Sequence, residues 1–171
     1  MSRLIIVSGG QSGVDRAALD AAIASGTAYG GWCPQGGWAE DFATPPGVRV
    51  HYPRLSETPS RDPAERTEWN VRDSDASLIL IDDGGIAVSG GTALAESLAA
   101  RYGRTLLVAD VGAPDAAARV HSWLIALTTA RKDKASFRLA VGGPRESEAK
   151  GIYGKARALL EEVLHEFDFS K

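Results

Sequence analysis

Two short segments of this 171-residue chain combine glycines with hydroxyl side chains as an anion site would. The first is Ser8-Gly9-Gly10-Gln11-Ser12-Gly13, running on into Val14-Asp15-Arg16, and the second is Ser89-Gly90-Gly91-Thr92. Glycine lets backbone N–H groups approach an oxyanion closely, and a helix opening after the loop adds the positive end of its dipole. Ser8 and Ser12 can donate hydroxyl protons to phosphate oxygens, and Arg16 falls in the first helical turn. The first loop lacks the G-x-G-x-x-G spacing and the chain has no G-x-x-x-x-G-K-[ST], so neither named nucleotide fingerprint applies. A plain strand-to-helix turn is the competing reading. Asp82 and Asp83, ahead of the second loop, could accept hydrogen bonds from a base, pterin or sugar, or form an ordinary solvated turn.

Other chemistries find little support. Cys33 is the only cysteine, which excludes an intramolecular disulfide and a zinc cluster of thiolates. His51, His121 and His165 are far apart and form no His-x-x-x-His pair, so no metal site is expected. Trp32, Trp38 and Trp69 are candidates to stack on a planar heterocycle, although tryptophan is more often core. Arg145 is a candidate phosphate contact or a solvated arginine. Nineteen Lys and Arg against 22 Asp and Glu give a net charge of −3. That balance supplies no general attraction for nucleic acid, so an anionic ligand must be met by local donors. The run Leu4–Val7 is too short for a secretory signal or a membrane span, and a cytoplasmic location is expected.

Elements of an α/β domain must position these loops. Leu4–Val7, Tyr29–Cys33, Leu78–Ile81, Thr105–Ala109 and Phe137–Val141 read as short buried strands. Helical spacing is found over Val14–Ser25, Arg61–Arg72, Thr92–Arg101, Ala113–Thr129 and Glu146–Phe167. Gly36–Gly47 reads as a loop that returns near Val48–Tyr52. Short strands alternating with long helices require crossover connections. The expectation is one doubly wound, Rossmann-like domain over residues 1–171, with about five mainly parallel strands and helices on both faces. Ligands of such sheets bind beyond the carboxyl ends of the strands. The loops there are Ser8–Gly13, Pro34–Asp41, Asp82–Gly91 and Gly142–Glu146.

The segments Ser8 to Asp20, Gly30-Gly31-Trp32-Cys33-Pro34-Gln35-Gly36, Arg66 to Asp75, Ser89 to Thr92, and Gly143-Pro144-Arg145-Glu146-Ser147 resemble the molybdenum cofactor carrier proteins. The resemblance runs from near residue 4 to past residue 150. It implies a Rossmann-like fold, a homo-oligomer (dimer or tetramer), and molybdenum cofactor or molybdopterin bound at the strand ends. Molybdoenzymes or cofactor-biosynthesis proteins would be its partners.

A more distant similarity is to the nucleotide phosphoribohydrolases labelled lysine decarboxylase-like. There, an Arg-bearing helix precedes a Ser-Asp-Ala segment, a strand and a Gly-Gly-x-Gly-Thr-x-x-Glu loop. Arg66 stands eight residues before Ser74-Asp75-Ala76 and suits that arrangement, but Thr67 replaces the second basic residue. Glu96 follows Thr92 by four residues rather than three, a rotation of about 100° on a helix. The reading that results is a carrier without catalytic residues. Its phosphate-bearing heterocycle is held by Gly9, Gly10, Gln11, Ser12, Gly13, Ser89, Gly90, Gly91 and Thr92, with Arg66 and Arg16 supplying charge and Asp82 a polar contact. The alternatives are a nucleoside 5'-monophosphate phosphoribohydrolase using Arg66 and Glu96, or a non-catalytic nucleotide-binding module.

Overall fold

The structure, a computed structural model, describes residues 3–131 and 136–169. The strands are β1 (Leu4–Val7), β2 (Ala28–Cys33), β3 (Leu55–Glu57), β4 (Ala76–Ile81), β5 (Thr105–Asp110) and β6 (Phe137–Gly142). The helices are α1 (Val14–Ala24), α2 (Pro63–Arg72), α3 (Gly90–Arg101), α4 (Ala116–Ala130) and α5 (Ile152–Phe169). All strand pairs are parallel, in the order β3-β2-β1-β6-β4-β5. This is the Rossmann-like α/β sheet that the alternation predicts, with six strands in place of about five. The extra strand, β3, is only three residues long, and its periodicity is too brief to stand out in sequence.

Right-handed crossovers put helices on opposite faces when the chain moves in opposite directions along the sheet. The connections β1-α1-β2 and β4-α3-β5 move outward in opposite directions, so α1 and α3 lie on opposite faces. On the first face, α1, α4 and α5 bury Leu4, Ile6, Leu78, Leu80, Leu139 and Val141 in the larger core. On the other, α2 and α3 enclose Val71, Leu98 and Ala99, with Leu106 packed against them. Alternation along β4 therefore aims Leu78 and Leu80 at one core and Ser77 and Ile79 at the other.

Helix starts follow their caps. Asp62 accepts from the Ala64 amide and Pro63 takes the first turn, so α2 begins at 63 rather than 61. The Ser89 side chain caps α3, moving its start from Thr92 back to Gly90. The last helix begins at Ile152, six residues later than its sequence pattern indicates. Glu146 and Glu148 are not on its polar face. Instead, the Glu146 carboxylate accepts from the amides of Gly151 and Tyr153, and Glu148 accepts from the Arg145 amide. Gly151, at φ +86°, closes that turn before the helix starts.

Candidate functional site

The chain runs outward from β1 to β3, crosses back through α2 to β4, and later inserts β6 between β1 and β4. The crevice beyond the carboxyl ends of β1, β6 and β4 is therefore the topological switch point, where open α/β sheets bind ligands. Its walls include Ser8 and Gly9 from the end of β1, Gly142 and Gly143 from the end of β6, and Ser77 from β4. Arg66, Thr67 and Asn70 of α2 and Gly91, Thr92 and Ala95 of α3 complete it. The free volume is about 50 Å³. With roughly 10–15 Å³ needed per water, that admits a phosphate-sized group. It falls well short of the roughly 300 Å³ at which small-molecule pockets begin.

Arg66 dominates this space. Its Nη1 donates to Asp15 Oδ2 at 2.7 Å, with the two side chains 13% and 6% exposed. The guanidinium lies over Gly9 so closely that any Cβ there would collide with it. Asp15 is buried, and burial pushes its carboxyl above the ordinary range against the pull of Arg66 and of the nearby Gln11 and Gly9 amides. The Asp15 carboxylate thus sits close to the Gln11 and Gly9 amides of the first glycine loop. Arg66 Nε, Ser77 Oγ and Thr92 Oγ1 are buried in the same crevice without any hydrogen-bond partner.

The residues singled out in the sequence separate into two groups. Gly9, Arg66, Gly91 and Thr92 converge on the crevice. Gln11, Ser12, Gly13 and Arg16 lie on the far side of the first loop. The Gln11 side-chain carbonyl accepts from the amides of Ser12 and Glu40, at 3.0 and 2.9 Å. Ser12 donates to Glu40, which also accepts from Ser147 at 2.6 Å. Burial works to raise the Glu40 carboxyl, but these hydroxyls hold it below the ordinary range. Gly13, at φ +78°, packs on the backbone of residues 144–146, and the Val14 amide donates to Pro144 O. Arg16 forms a two-point pair with Asp41, both distances 2.9 Å, and also donates to Gly10 O.

In the second loop, Ser89 Oγ accepts from the Thr92 amide at 3.3 Å, while Gly90 is exposed. Asp82 accepts from the Gly84 amide and does not line the crevice. Glu96 is exposed and Ala95 takes the inward position, as the one-residue offset predicts. Ser77 was missed by sequence reasoning, which began its strand at Leu78. The signal was a lone hydroxyl at the start of the most apolar run in the chain. Of the tryptophans, Trp32 donates from Nε1 to Asp73 and packs edge-on against Trp69, with ring centroids 4.8 Å apart. Arg72 covers Trp69. Neither indole lines the crevice.

A parallel sheet with helices on both faces and a crevice at its switch point defines a protein of the Rossmann-like α/β class. The model of the circularly permutated YpsA SLOG family matches residues 6–164, and the chain belongs to that family. A solved structure similar to this one comes from Syntrophus aciditrophicus SB and is described as a "Putative molybdenum carrier protein". It is 38% identical, with 95% of each chain covered and a TM-score of 0.79. No curated protein matches the chain. Among the described residues, no helix is long and apolar enough to cross a membrane.

Proposed function

We propose that the protein binds and carries the molybdenum cofactor, or its molybdopterin moiety, with the ligand phosphate seated in the switch-point crevice. The observation that carries this reading is the set of three buried, unpaired polar atoms, Arg66 Nε, Ser77 Oγ and Thr92 Oγ1, in one phosphate-sized space. A buried polar group without a partner costs about 1–3 kcal/mol. Three in one crevice suit a ligand that satisfies them together. All three can donate, as phosphate oxygens require. The first-turn amide of Gly91 adds a further donor at the positive end of α3.

In this reading Gly9 contributes by being small, which lets the guanidinium lie across the loop. Gln11, Ser12, Gly13, Gly10 and Arg16 hold that loop against its neighbours, and Ser89 holds Thr92. Among the described residues, no three His, Cys, Asp or Glu side chains converge as metal ligands. The reading accordingly gives the protein the phosphate and the ring, and leaves the molybdenum to the sulfur atoms of the ligand. No proton transfer is required. Carriage would take place in the cytoplasm, by a homo-oligomer that hands the ligand to molybdoenzymes or to proteins of cofactor assembly.

The test is anaerobic purification followed by mass spectrometry of the small molecules released on denaturation. Molybdopterin or its oxidised pterin products should appear in proportion to protein, and Arg66→Ala should reduce them. A nucleotide found in their place would favour the nucleotide-binding alternative and overturn the pterin assignment.

A further inference from the structure

Beside the crevice lies a larger pocket of about 460 Å³, whose lining includes Gln35, Gly36, Trp38, Pro45, Arg61 and Pro63. We propose that this pocket seats the flat ring system of the ligand whose phosphate enters the crevice, with Trp38 as its stacking surface. The inference rests on the proposed function above and assigns it a second half-site.

The two spaces lie along one face of α2. Pro63 lines the pocket, while Arg66, Thr67 and Asn70 line the crevice. Spacings of three, four and seven residues keep these positions on one helix face. Pro63 and Arg66 are about 5 Å apart along the axis, at roughly 1.5 Å per residue. One phosphorylated heterocycle can therefore reach both. The crevice is too small for a ring, whereas the pocket is of ligand size, above roughly 300 Å³. Its walls include one flat indole, Trp38, and two proline rings.

Those walls are held in place before any ligand arrives. The Gln35 amide donates to Ser60 O at 2.8 Å, Gly37 to Pro34 O at 2.9 Å and Gly47 to Thr44 O at 2.9 Å. Gly36, at φ +80°, faces Pro45, and a Cβ there would come within 3.2 Å of the proline ring. Trp32 and Trp69 occupy each other, whereas Trp38 has, among the described residues, one ring contact, the Arg145 guanidinium at 5.9 Å from its centroid. That guanidinium forms no ion pair among the described residues, so it adds a cation beside the indole suited to an anionic ligand.

Calorimetry on the full chain separates the two half-sites. The probes are ribose 5-phosphate, adenosine 5'-monophosphate and, anaerobically, molybdopterin. Trp38→Ala should weaken the better-bound ring-bearing probe by about tenfold, within the range for stacking on an aromatic side chain. Its affinity for ribose 5-phosphate should be unchanged. Arg66→Ala should weaken all three. Should Trp38→Ala fail to fold, Trp38→Phe is expected to retain ring binding and Trp38→Leu to lose it. Equal ring binding by wild type and the Trp38 variants, with Arg66→Ala still impaired, would overturn the stacking site and leave the phosphate crevice standing. Failure of wild type to bind any probe would overturn both. Tighter binding of adenosine 5'-monophosphate than of molybdopterin, still sensitive to Trp38, would support the stacking site and assign its ring as a purine.

Discussion

Replacing Arg66 with alanine removes the cation from a pair whose carboxylate has no solvent to fall back on, because Asp15 is only 6% exposed. Breaking a buried pair by removing one partner costs about 3–5 kcal/mol. Here the Gly9 and Gln11 amides still lie near Asp15, which can also take up a proton, its carboxyl being already raised by burial. The expected loss is therefore lower, roughly 2–3 kcal/mol. In an Asp15→Asn background no buried charge is left behind, and the same Arg66→Ala change should cost about 1 kcal/mol or less. The double-mutant cycle should thus give a coupling energy of at least about 1–2 kcal/mol. Urea unfolding followed by tryptophan fluorescence measures it, with an unchanged denaturant slope confirming that only stability has moved. Coupling below about 0.5 kcal/mol, the usual error of additivity, would refute the claim that Asp15 and Arg66 act as a buried pair. Ligand affinity of Arg66→Ala should fall by about 1.5–3 kcal/mol, the scale of a charge-assisted hydrogen bond.

Thr92→Val keeps the side-chain shape and removes a buried hydroxyl that has no protein partner. Its thermal stability should match or exceed wild type, while phosphate-probe affinity measured by calorimetry falls about tenfold, the scale of one hydrogen bond. Gly31→Ala places a Cβ against the Ser8 backbone at φ +133° and should cost about 2–4 kcal/mol in urea unfolding, prying β2 from β1. A loss under about 1 kcal/mol would mean that β2 yields easily. The raised Asp15 carboxyl sets a pH dependence: between roughly 4, the unfolded value, and its higher folded value, the native state holds the extra proton. This contribution to stability falls as pH rises through that window. The stability of Asp15→Asn minus that of wild type should therefore increase with pH there, and a flat difference would contradict the burial argument. Incubation with adenosine 5'-monophosphate should release no adenine above background by chromatography, because Glu96 is exposed outside the crevice. Turnover abolished by Glu96→Gln would instead favour the hydrolase alternative.

Most of the fold is legible in local pattern. The boundaries of β1 and α1 agree with the sequence pattern within one residue, because an apolar strand meets a glycine stop and an apolar helix face closes at Gly26. The parallel sheet follows from alternation of strands and helices, and the placing of the candidate loops at the carboxyl ends of the strands follows from that topology. Both glycine loops are visible as strand-to-helix connections before any coordinates are considered. What local pattern cannot carry is pairing across the fold. Three-residue β3 forms only because β2 offers it an edge, at Gly31, Trp32 and Cys33. The α5 start is delayed by a network of Glu146, Glu148 and Gly151 whose geometry is not periodic.

The same division runs through the candidate site. Residue types showed that Ser8 to Gly13 and Ser89 to Thr92 were suited to an anion, since glycine and hydroxyl donors are local properties. Which donors remain free was decided in three dimensions. Arg66 Nη1 is spent on Asp15, Arg16 on Asp41, and Ser12 on Glu40. These partners lie 25 to 51 positions away in sequence and come close in space only in the folded chain. Ser77, from a strand interior, and Arg66, from a helix 51 residues beyond Asp15, reach the crevice because β6 inserts between β1 and β4 and α2 crosses above them. The sequence determines what each loop can donate. The tertiary structure determines which donors are already taken and which, like Ser77 Oγ and Thr92 Oγ1, are buried without a partner, because only the wound sheet brings distant groups within reach or leaves them apart.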